Sequence, residues 1–457
     1  TTAISGGVAW IPNNHVMKRE GFIDSRIKTL TYLNQLSQGQ SDKELIEAFA
    51  KEGPKMIKFL EDNTSLRWRV SKIMGEASEY HTDWQGSVLK GRSIEPDSGA
   101  PTGALLGGHL ISYLLEAFYS LGGKIILDAP AQKLISRENK DGSTEVLGVS
   151  YLSNGKVFNL KAKKGVHLAS GGFDHNAEMK KNFLSVPSYG AGVKSNTGDG
   201  IRMAMKLGAD LRNMNEVWGS AVYKGEAEMT GSLNAVTEKK YNASCLLVNR
   251  YGKRFSNEKA DYDSSWRSFH AKENWGDLNY KNIPAFLIYD HKDRKNGTIG
   301  GKKINQTLPG WFSQSSSIEG LAKKLGINQK NLKATISQFN RNAVLGTDPD
   351  FHRGETHYDR MGLDDTSLAL QPLDLPPYYG AEVAPSHLGT CGGPRVNYLS
   401  EVLNVNGVSI KRLCASGNCS GVGSPGTSYG GGGGTIGPAL TFSYIAGNTL
   451  SNLKEWS

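Results

Sequence analysis

The sequence predicts a mixed α/β (α+β) chain in which a cofactor-type domain is interrupted by a smaller inserted domain. Three observations carry this. The N-terminal quarter has helical periodicity, and the stretch from about 124 to 169 changes to short strands ending in a glycine pair. The chain end then returns to strand, glycine turn and helix after a compositionally irregular region. The expected boundaries are 1–215 for the first part of the cofactor domain, 216–385 for the insert and 386–457 for the second part.

The elements follow in order. Ser41-Asp42-Lys43-Glu44 has the form of a capping box opening a helix with Leu45, Ile46 and Phe49 on one side. Pro54 is expected to start a second helical stretch carrying Met56, Ile57, Phe59 and Leu60. A further helix is expected over 105–121, ending at Gly122-Gly123. Lys124-Ile125-Ile126-Leu127 and Gln132-Lys133-Leu134-Ile135 are short apolar runs of strand type. Residues 146–152 and 156–163, joined by Asn154-Gly155, carry a tight hairpin signature. Val166-His167-Leu168-Ala169 reads as a buried strand running into Ser170-Gly171-Gly172-Phe173, a common way to seat a cofactor at a strand end. Region 215–385 is richer in Trp, Asn and Tyr, and no internal repeat is visible.

Residues 428–439 read Ser-Tyr-Gly-Gly-Gly-Gly-Gly-Thr-Ile-Gly-Pro-Ala, and they carry the most chemistry. Glycines let backbone N–H groups approach a ligand. Pro438 suits the first turn of a helix, whose start favours negative charge. The segment reads as a donor-lined platform for a flat ligand that gains negative charge. The alternative is a flexible linker, which the following apolar run (Leu440, Phe442, Tyr444, Ile445, Leu450) disfavours.

The totals set limits. A chain of 457 residues with 38% hydrophobic content has room for two or three packed domains. Its net charge of +9 comes from scattered lysines, which favours a solvated surface over nucleic-acid binding. No apolar run has the length of a membrane span and no signal peptide is visible. Cys245, Cys391, Cys414 and Cys419 have neither zinc-site spacing nor a disulfide pattern, so no metal is expected. A cytoplasmic location is the expectation, with peripheral attraction to an anionic membrane face left open.

Several separated motifs then converge on one resemblance. Thr1-Thr2-Ala3-Ile4-Ser5-Gly6-Gly7 with Trp10-Ile11-Pro12-Asn13-Asn14 resembles the flavin-facing segment of the succinate dehydrogenase/fumarate reductase flavoprotein superfamily. Ser170-Gly171-Gly172-Phe173, Asn196-Thr197-Gly198-Asp199-Gly200 and Ala415-Ser416-Gly417-Asn418 are similar to its later FAD contacts. Residues 429–439 resemble the 3-ketosteroid Δ1-dehydrogenase branch, supported by Gly91-Arg92-Ser93-Ile94-Glu95-Pro96 and Arg254-Phe255-Ser256-Asn257-Glu258.

The resemblance implies a glutathione-reductase-like FAD-binding domain interrupted by a substrate domain, with FAD as cofactor. It implies a hydrophobic ketone, such as a steroid, as substrate, and an electron acceptor. By the same resemblance, Tyr429 hydroxyl and Gly433 N–H bond the C3 oxygen, while Tyr262 takes the C2 proton. A free tyrosine titrates near ~10, so help is needed, and Tyr80 is the implied hydrogen-bond donor to the phenolate. Flavin N5 would accept the C1 hydride.

Thr1, Thr2, Ser5, Gly6 and Gly7 are implied beside the flavin, with Asn13 and Asn14 supporting the turn. Ala131 would present backbone to the adenine, and Ser170, Gly171 and Gly172 would make later contacts. Gly417 and Asn418 would approach the ribityl chain. Gly434, Ile436, Pro438 and Ala439 would serve the ring end. The resemblance also implies a strand, a Gly-x-Gly-x-x-Gly turn and an acidic residue that this sequence does not contain, so a separate chain supplying that unit is a candidate partner. Three alternatives stay open at this point: a fumarate-type reductase, a ketosteroid or enoate reductase, and a flavin-free fragment or subunit.

Overall fold

The computed structural model describes residues 2–72, 79–100, 106–230, 236–276 and 278–456. The chain divides into two compact units, one of Thr1–Leu184, Gly192–Val217 and Gly389–Ser457, the other of Ser185–Ala191 and Trp218–Leu388.

In the first unit, helices Arg26–Ser37 and Lys43–Asn63 enclose a core built on Trp10, Tyr32, Phe49, Trp68, Ile94 and Phe442. Strand Ser93–Pro96 lies between Ala9–Trp10 and Trp68–Val70, antiparallel to both. Two sequence expectations change here. Lys43–Asn63 is one helix with Pro54 inside it, so Pro54 does not begin a second helix. An interior proline is costly, but the buried stripe of Leu45, Ile46, Phe49, Met56 and Ile57 holds the helix together. Its N-cap is Asp42, not Ser41, and the Asp42 carboxylate makes no capping bond. Instead it accepts from Arg212 at 2.6 Å and Arg395 at 3.3 Å.

The second sheet of this unit runs Glu401–Leu403, Ser409–Ala415, Thr144–Ser153, Ala131–Glu138, with Lys156–Lys161 on Thr144–Ser153 and Val166–Leu168 on Ser409–Ala415. The expected hairpin forms at Asn154 (φ 49°) and Gly155 (φ 74°), both left-handed as a tight primed turn requires. Residues 124–127 form no strand. Strand geometry needs a ladder partner, and none stands beside this run among the described residues; Ile126 and Leu127 are 54% and 77% exposed. The expected helix over 105–121 is Gly107–Ser120, and Leu105 lies outside the described residues.

The second unit is built on a sheet ordered Val217–Tyr223, Tyr378–Thr390, Ala285–Tyr289, Leu246–Asn249, with Ser313–Ser315 and Tyr189–Gly190 also on the long strand. Ala285–Tyr289 and Leu246–Asn249 are buried at every position, as strands covered on both faces must be. One face packs Leu246, Val248, Phe286 and Ile288 against helices Ile318–Leu325 and Gln329–Val344; the other gathers Leu247, Leu287, Tyr289 and Tyr223. Among the described residues, no helix is long and apolar enough to cross a membrane.

Candidate active site

The glycine run is held by its carbonyls. Gly430 oxygen accepts from Tyr32 hydroxyl at 2.6 Å and from Tyr80 N–H at 3.1 Å. Gly431 oxygen accepts from Gly434 N–H at 3.0 Å, and Gly432 oxygen from Ser93 hydroxyl at 2.6 Å. Gly433 oxygen accepts from Trp10 and Gly437 N–H groups, at 3.0 and 2.9 Å, and Gly434 oxygen from Ser424 hydroxyl at 2.8 Å. Every carbonyl of residues 430–434 therefore has a donor. The Gly433 N–H has no acceptor among the described residues.

Position 433 must be glycine. Its φ is +96°, and a Cβ there would lie 2.7 Å from backbone atoms of Val8 and Trp10. The same close approach recurs at Gly437, where a Cβ would sit 2.1 Å from Trp10 oxygen. The helix Ile436–Ser451 can therefore begin directly on the Trp10 backbone, with Pro438 in its first turn.

Two buried tyrosines adjoin the run. The Tyr80 and Tyr429 rings lie 5.3 Å apart, tilted by 37°. Beneath them is a buried polar cluster. Arg92 donates to both Asp24 oxygens, at 2.9 and 2.8 Å, and to Gly86 oxygen at 2.8 Å. Its remaining nitrogen faces Glu79 at 3.4 Å, while Trp10 Nε1 donates to Glu79 at 2.9 Å. Burial raises the Glu79 carboxyl to about 7 despite Arg92. Burial also acts to raise Asp24, but the Arg92 bonds override it and hold that carboxyl below its usual range.

Tyr262 lies in the second unit as the first residue of helix Tyr262–Arg267, half-buried, with Asp261 capping the helix through Ser264 N–H. The preceding loop is rigidly tied. Arg254 pairs with Glu258 and Asp348, and Arg353 donates to Glu258 at 2.9 Å. Buried Lys239 donates to Glu258 oxygen at 2.8 Å and to Ser265 hydroxyl at 3.0 Å, spanning Tyr262 from both sides in sequence. Burial would raise Glu258, but Arg254 and Arg353 bring it down to about 2.

The remaining sequence-derived residues sit on the first unit, apart from Thr1, which lies outside the described residues. Thr2 opens a 3-10 turn, Thr2–Ile4, whose Thr2 oxygen accepts from Ser5 hydroxyl at 2.7 Å. Gly7 N–H donates to Ser5 hydroxyl at 3.1 Å, and Gly107 N–H to Ser5 oxygen at 3.0 Å, so 2–7, Gly6 included, lies against the start of helix Gly107–Ser120. Asn13 is left-handed, with its N–H on Asp24. Asn14 is fully buried, donating to Ile11 and Gly91 oxygens while capping His15–Arg19, so its side chain is committed to the frame. Ala131 begins its strand, half-buried.

Two parallel strand ends stand side by side, Leu168 paired with Ala415, and each runs into a serine–glycine turn. Ser170 hydroxyl accepts from Gly200 N–H at 3.2 Å, and Gly171 and Gly172 pack on Asn196 and Thr390. Gly417 and Asn418 form the other turn. A Cβ at Gly417 would meet only Ala439, at 3.5 Å, which leaves that side open beside the first turn of the Ile436–Ser451 helix. Adjacent carboxyl ends of parallel strands with open glycine turns fit the extended tail of a dinucleotide. Three contributors were not singled out from sequence: Tyr32, Ser93 and Lys239. Only Ser93 had a signal, because it lies in the Gly91–Pro96 motif.

Residues 1–435 match the FAD binding domain family. The chain belongs to that family. Within it, the chain stands in the 3-oxosteroid 1-dehydrogenase branch of the succinate dehydrogenase/fumarate reductase superfamily, and it is an FAD-dependent oxidoreductase. It is 31% identical to a 3-oxosteroid 1-dehydrogenase of Mycobacterium tuberculosis, over 98% of this chain and 91% of that one. It is 29% identical to a 4-oxocyclohexanecarboxylate 2-dehydrogenase of Sinomonas cyclohexanicum, over 99% and 86%. The crystal structure of 3-ketosteroid delta1-dehydrogenase from Sterolibacterium denitrificans in complex with 1,4-androstadiene-3,17-dione superposes with a TM-score of 0.89 at 26% identity, covering 98% of this chain and 92% of that chain.

Proposed function

We propose that this chain is a 3-ketosteroid Δ1-dehydrogenase, desaturating the C1–C2 bond of a 3-ketosteroid. The observation that carries the reading is the glycine run, with its carbonyls tied back and the Gly433 N–H uncommitted next to the Tyr429 residue. Removing a proton from C2 puts negative charge on the C3 oxygen, and two fixed donors stabilise that charge where it develops. Tyr429 hydroxyl and Gly433 N–H are those donors. Tyr262 takes the C2 proton, and Tyr80 supports its phenolate. FAD supplies the two-electron acceptor for the hydride leaving C1.

Ser5, Gly6, Gly7, Gly434, Ile436, Pro438 and Ala439 hold the ring end of the cofactor, and Ser170, Gly171, Gly172, Gly417 and Asn418 its tail. Thr1, Thr2 and Ala131 belong to the same set, with Asn13 and Asn14 bracing the turn. Residues 1–215 and 386–457 then form the FAD domain, and 216–385 the substrate domain. An electron acceptor reoxidises the flavin, and four buried cysteines, none in a disulfide, fit a cytoplasmic setting.

A strand–turn–helix–strand unit, on this polypeptide or another, covers the apolar surface formed by Phe118, Leu121, Ile126 and Leu127 and the adjoining cavity of about 280 Å³ lined by Ile111, Leu114 and Leu115. If the 457-residue chain retained stoichiometric FAD through dialysis on its own, that part would be wrong.

The test of the main reading is oxidation of a 4-ene-3-ketosteroid with an artificial acceptor, run beside 4-oxocyclohexanecarboxylate and beside the reverse reaction with a reduced donor. Turnover of the steroid to the 1,4-diene supports the reading. Turnover of the monocyclic acid alone would assign the substrate class of the Sinomonas relative. Reduction only would make the chain a reductase.

A further inference from the structure

We propose that Ser93 is a positioning residue for the oxyanion-facing amide of Gly433. Ser93 is fully buried on the central strand Ser93–Pro96, directly opposite Trp10 in the antiparallel pair. These two facing residues grip consecutive carbonyls: Ser93 hydroxyl donates to Gly432 oxygen at 2.6 Å, and Trp10 N–H donates to Gly433 oxygen at 3.0 Å.

The Gly432 carbonyl and the Gly433 N–H belong to one peptide unit. That unit is planar and trans, so its oxygen and its hydrogen point in opposite directions. A donor that fixes the oxygen therefore aims the hydrogen away from Ser93 and from the frame. Glycines on both sides impose little restraint of their own, so the plane could otherwise turn over. A turned plane would present a carbonyl oxygen where the enolate oxygen needs a donor. The Ser93 bond also polarises the peptide, drawing electron density toward Gly432 oxygen and strengthening the Gly433 N–H as a donor. Ser93 touches neither substrate nor flavin in this scheme and acts through the amide alone.

The inference rests on the reading that Gly433 N–H and Tyr429 receive the C3 oxygen, so the experiment separates the two. Ser93→Ala, Ser93→Thr, Ser93→Cys and Tyr429→Phe holoenzymes are compared for flavin content, flavin spectrum, kcat and KM. Affinity for a phenolic steroid, whose ionised ring oxygen mimics the enolate, is measured alongside. Ser93→Ala is expected to lower kcat roughly tenfold and to weaken phenolate binding by a similar factor, with KM within about twofold and the flavin retained. Ser93→Thr, which keeps the hydroxyl, restores most of the loss, whereas Ser93→Cys, a similar shape with a weak donor, does not.

Unchanged kcat in a flavin-loaded Ser93→Ala or Ser93→Cys enzyme overturns the proposal. So does a loss confined to KM, or flavin-free protein from both variants, which would make the hydroxyl a framework bond only. If Tyr429→Phe keeps full kcat, the carbonyl-binding reading itself falls. If Tyr429→Phe loses activity and Ser93→Ala does not, only the role of Ser93 falls.

Discussion

Replacing Glu79 by Gln should make the protein more stable at alkaline pH and leave it unchanged in acid. Glu79 is fully buried beside Tyr80, and the one cation facing it among the described residues, Arg92, already has both Asp24 oxygens on its guanidinium. An ionised Glu79 would give the cluster two carboxylates for one cation. Burial therefore raises its carboxyl from 4.5 to about 7, with Arg92 opposing and Asp24 adding to the rise. At about 1.4 kcal/mol per tenfold in proton affinity, this rise corresponds to roughly 3 kcal/mol.

The sign follows from linkage. The native state holds the Glu79 proton more tightly than the unfolded chain does. The stabilisation is full below pH 4.5, falls between 4.5 and about 7, and is gone above that. Gln is uncharged throughout, and its amide oxygen can still accept from Trp10 Nε1. Thermal unfolding followed at intervals from pH 4.5 to 8.5 should show equal Tm values at the acid end. At pH 8 the variant should be higher by about 4–6 °C, taking roughly 2 °C per kcal/mol for a unit of this size. A variant that loses stability most at pH 8 would refute the reasoning, because Glu79 would then be the ionised partner of Arg92.

Three further outcomes are expected. Tyr262→Phe should lower steroid turnover by a factor of about 10²–10⁴ while leaving the flavin spectrum intact; unchanged turnover would remove Tyr262 from the mechanism. Arg353→Met removes one of the two arginines paired with the buried Glu258 carboxylate and strands the Cys245, Ala243 and Ala369 oxygens that Arg353 bonds. It should cost about 3–5 kcal/mol in denaturant unfolding, and a near-neutral result would mean that Arg254 alone suffices for Glu258 and that the three carbonyls find other donors. Gly433→Ala forces a side chain into a left-handed site 2.7 Å from the Val8 and Trp10 backbone, and should abolish turnover even where folded protein and bound flavin survive by absorbance.

What the sequence reveals here is local. Asn154-Gly155 dictates its hairpin, and Pro438 with the apolar run behind it dictates the last helix, because the physics lies within a few residues. The tie from Tyr32 to Gly430 joins positions 398 residues apart, and that from Ser93 to Gly432 spans 339. No periodicity encodes such contacts. The misread elements fail for the same reason. Asp42 gives up its capping role to arginines at 212 and 395, Pro54 sits inside a helix stabilised by the core, and 124–127 has strand composition without a ladder partner. Motif resemblance singles out Tyr262 and Tyr429 as candidates, whereas the residues that hold their loops depend on tertiary contacts.

The electrostatics of the glycine platform also favour one substrate type. A site for a dicarboxylate has to offer full positive charge to the bound ground state. Residues 420–439 contain no Lys, Arg or His, and Arg92 beneath them directs its guanidinium to Asp24, Glu79 and Gly86. Arg92 and Asp24 cancel, and Glu79, its carboxyl raised to about 7, adds partial negative charge, so the cluster offers no net positive charge at physiological pH. The groups proposed to receive the substrate oxygen are dipolar: the Gly433 amide, whose peptide carbonyl is fixed by Ser93, and the Tyr429 hydroxyl. Fixed dipoles bind a neutral ketone weakly and an enolate oxygen strongly, because their interaction grows with the charge that develops. A platform of this kind spends its stabilisation on the deprotonation step, which is where a carbonyl-activated desaturation needs it.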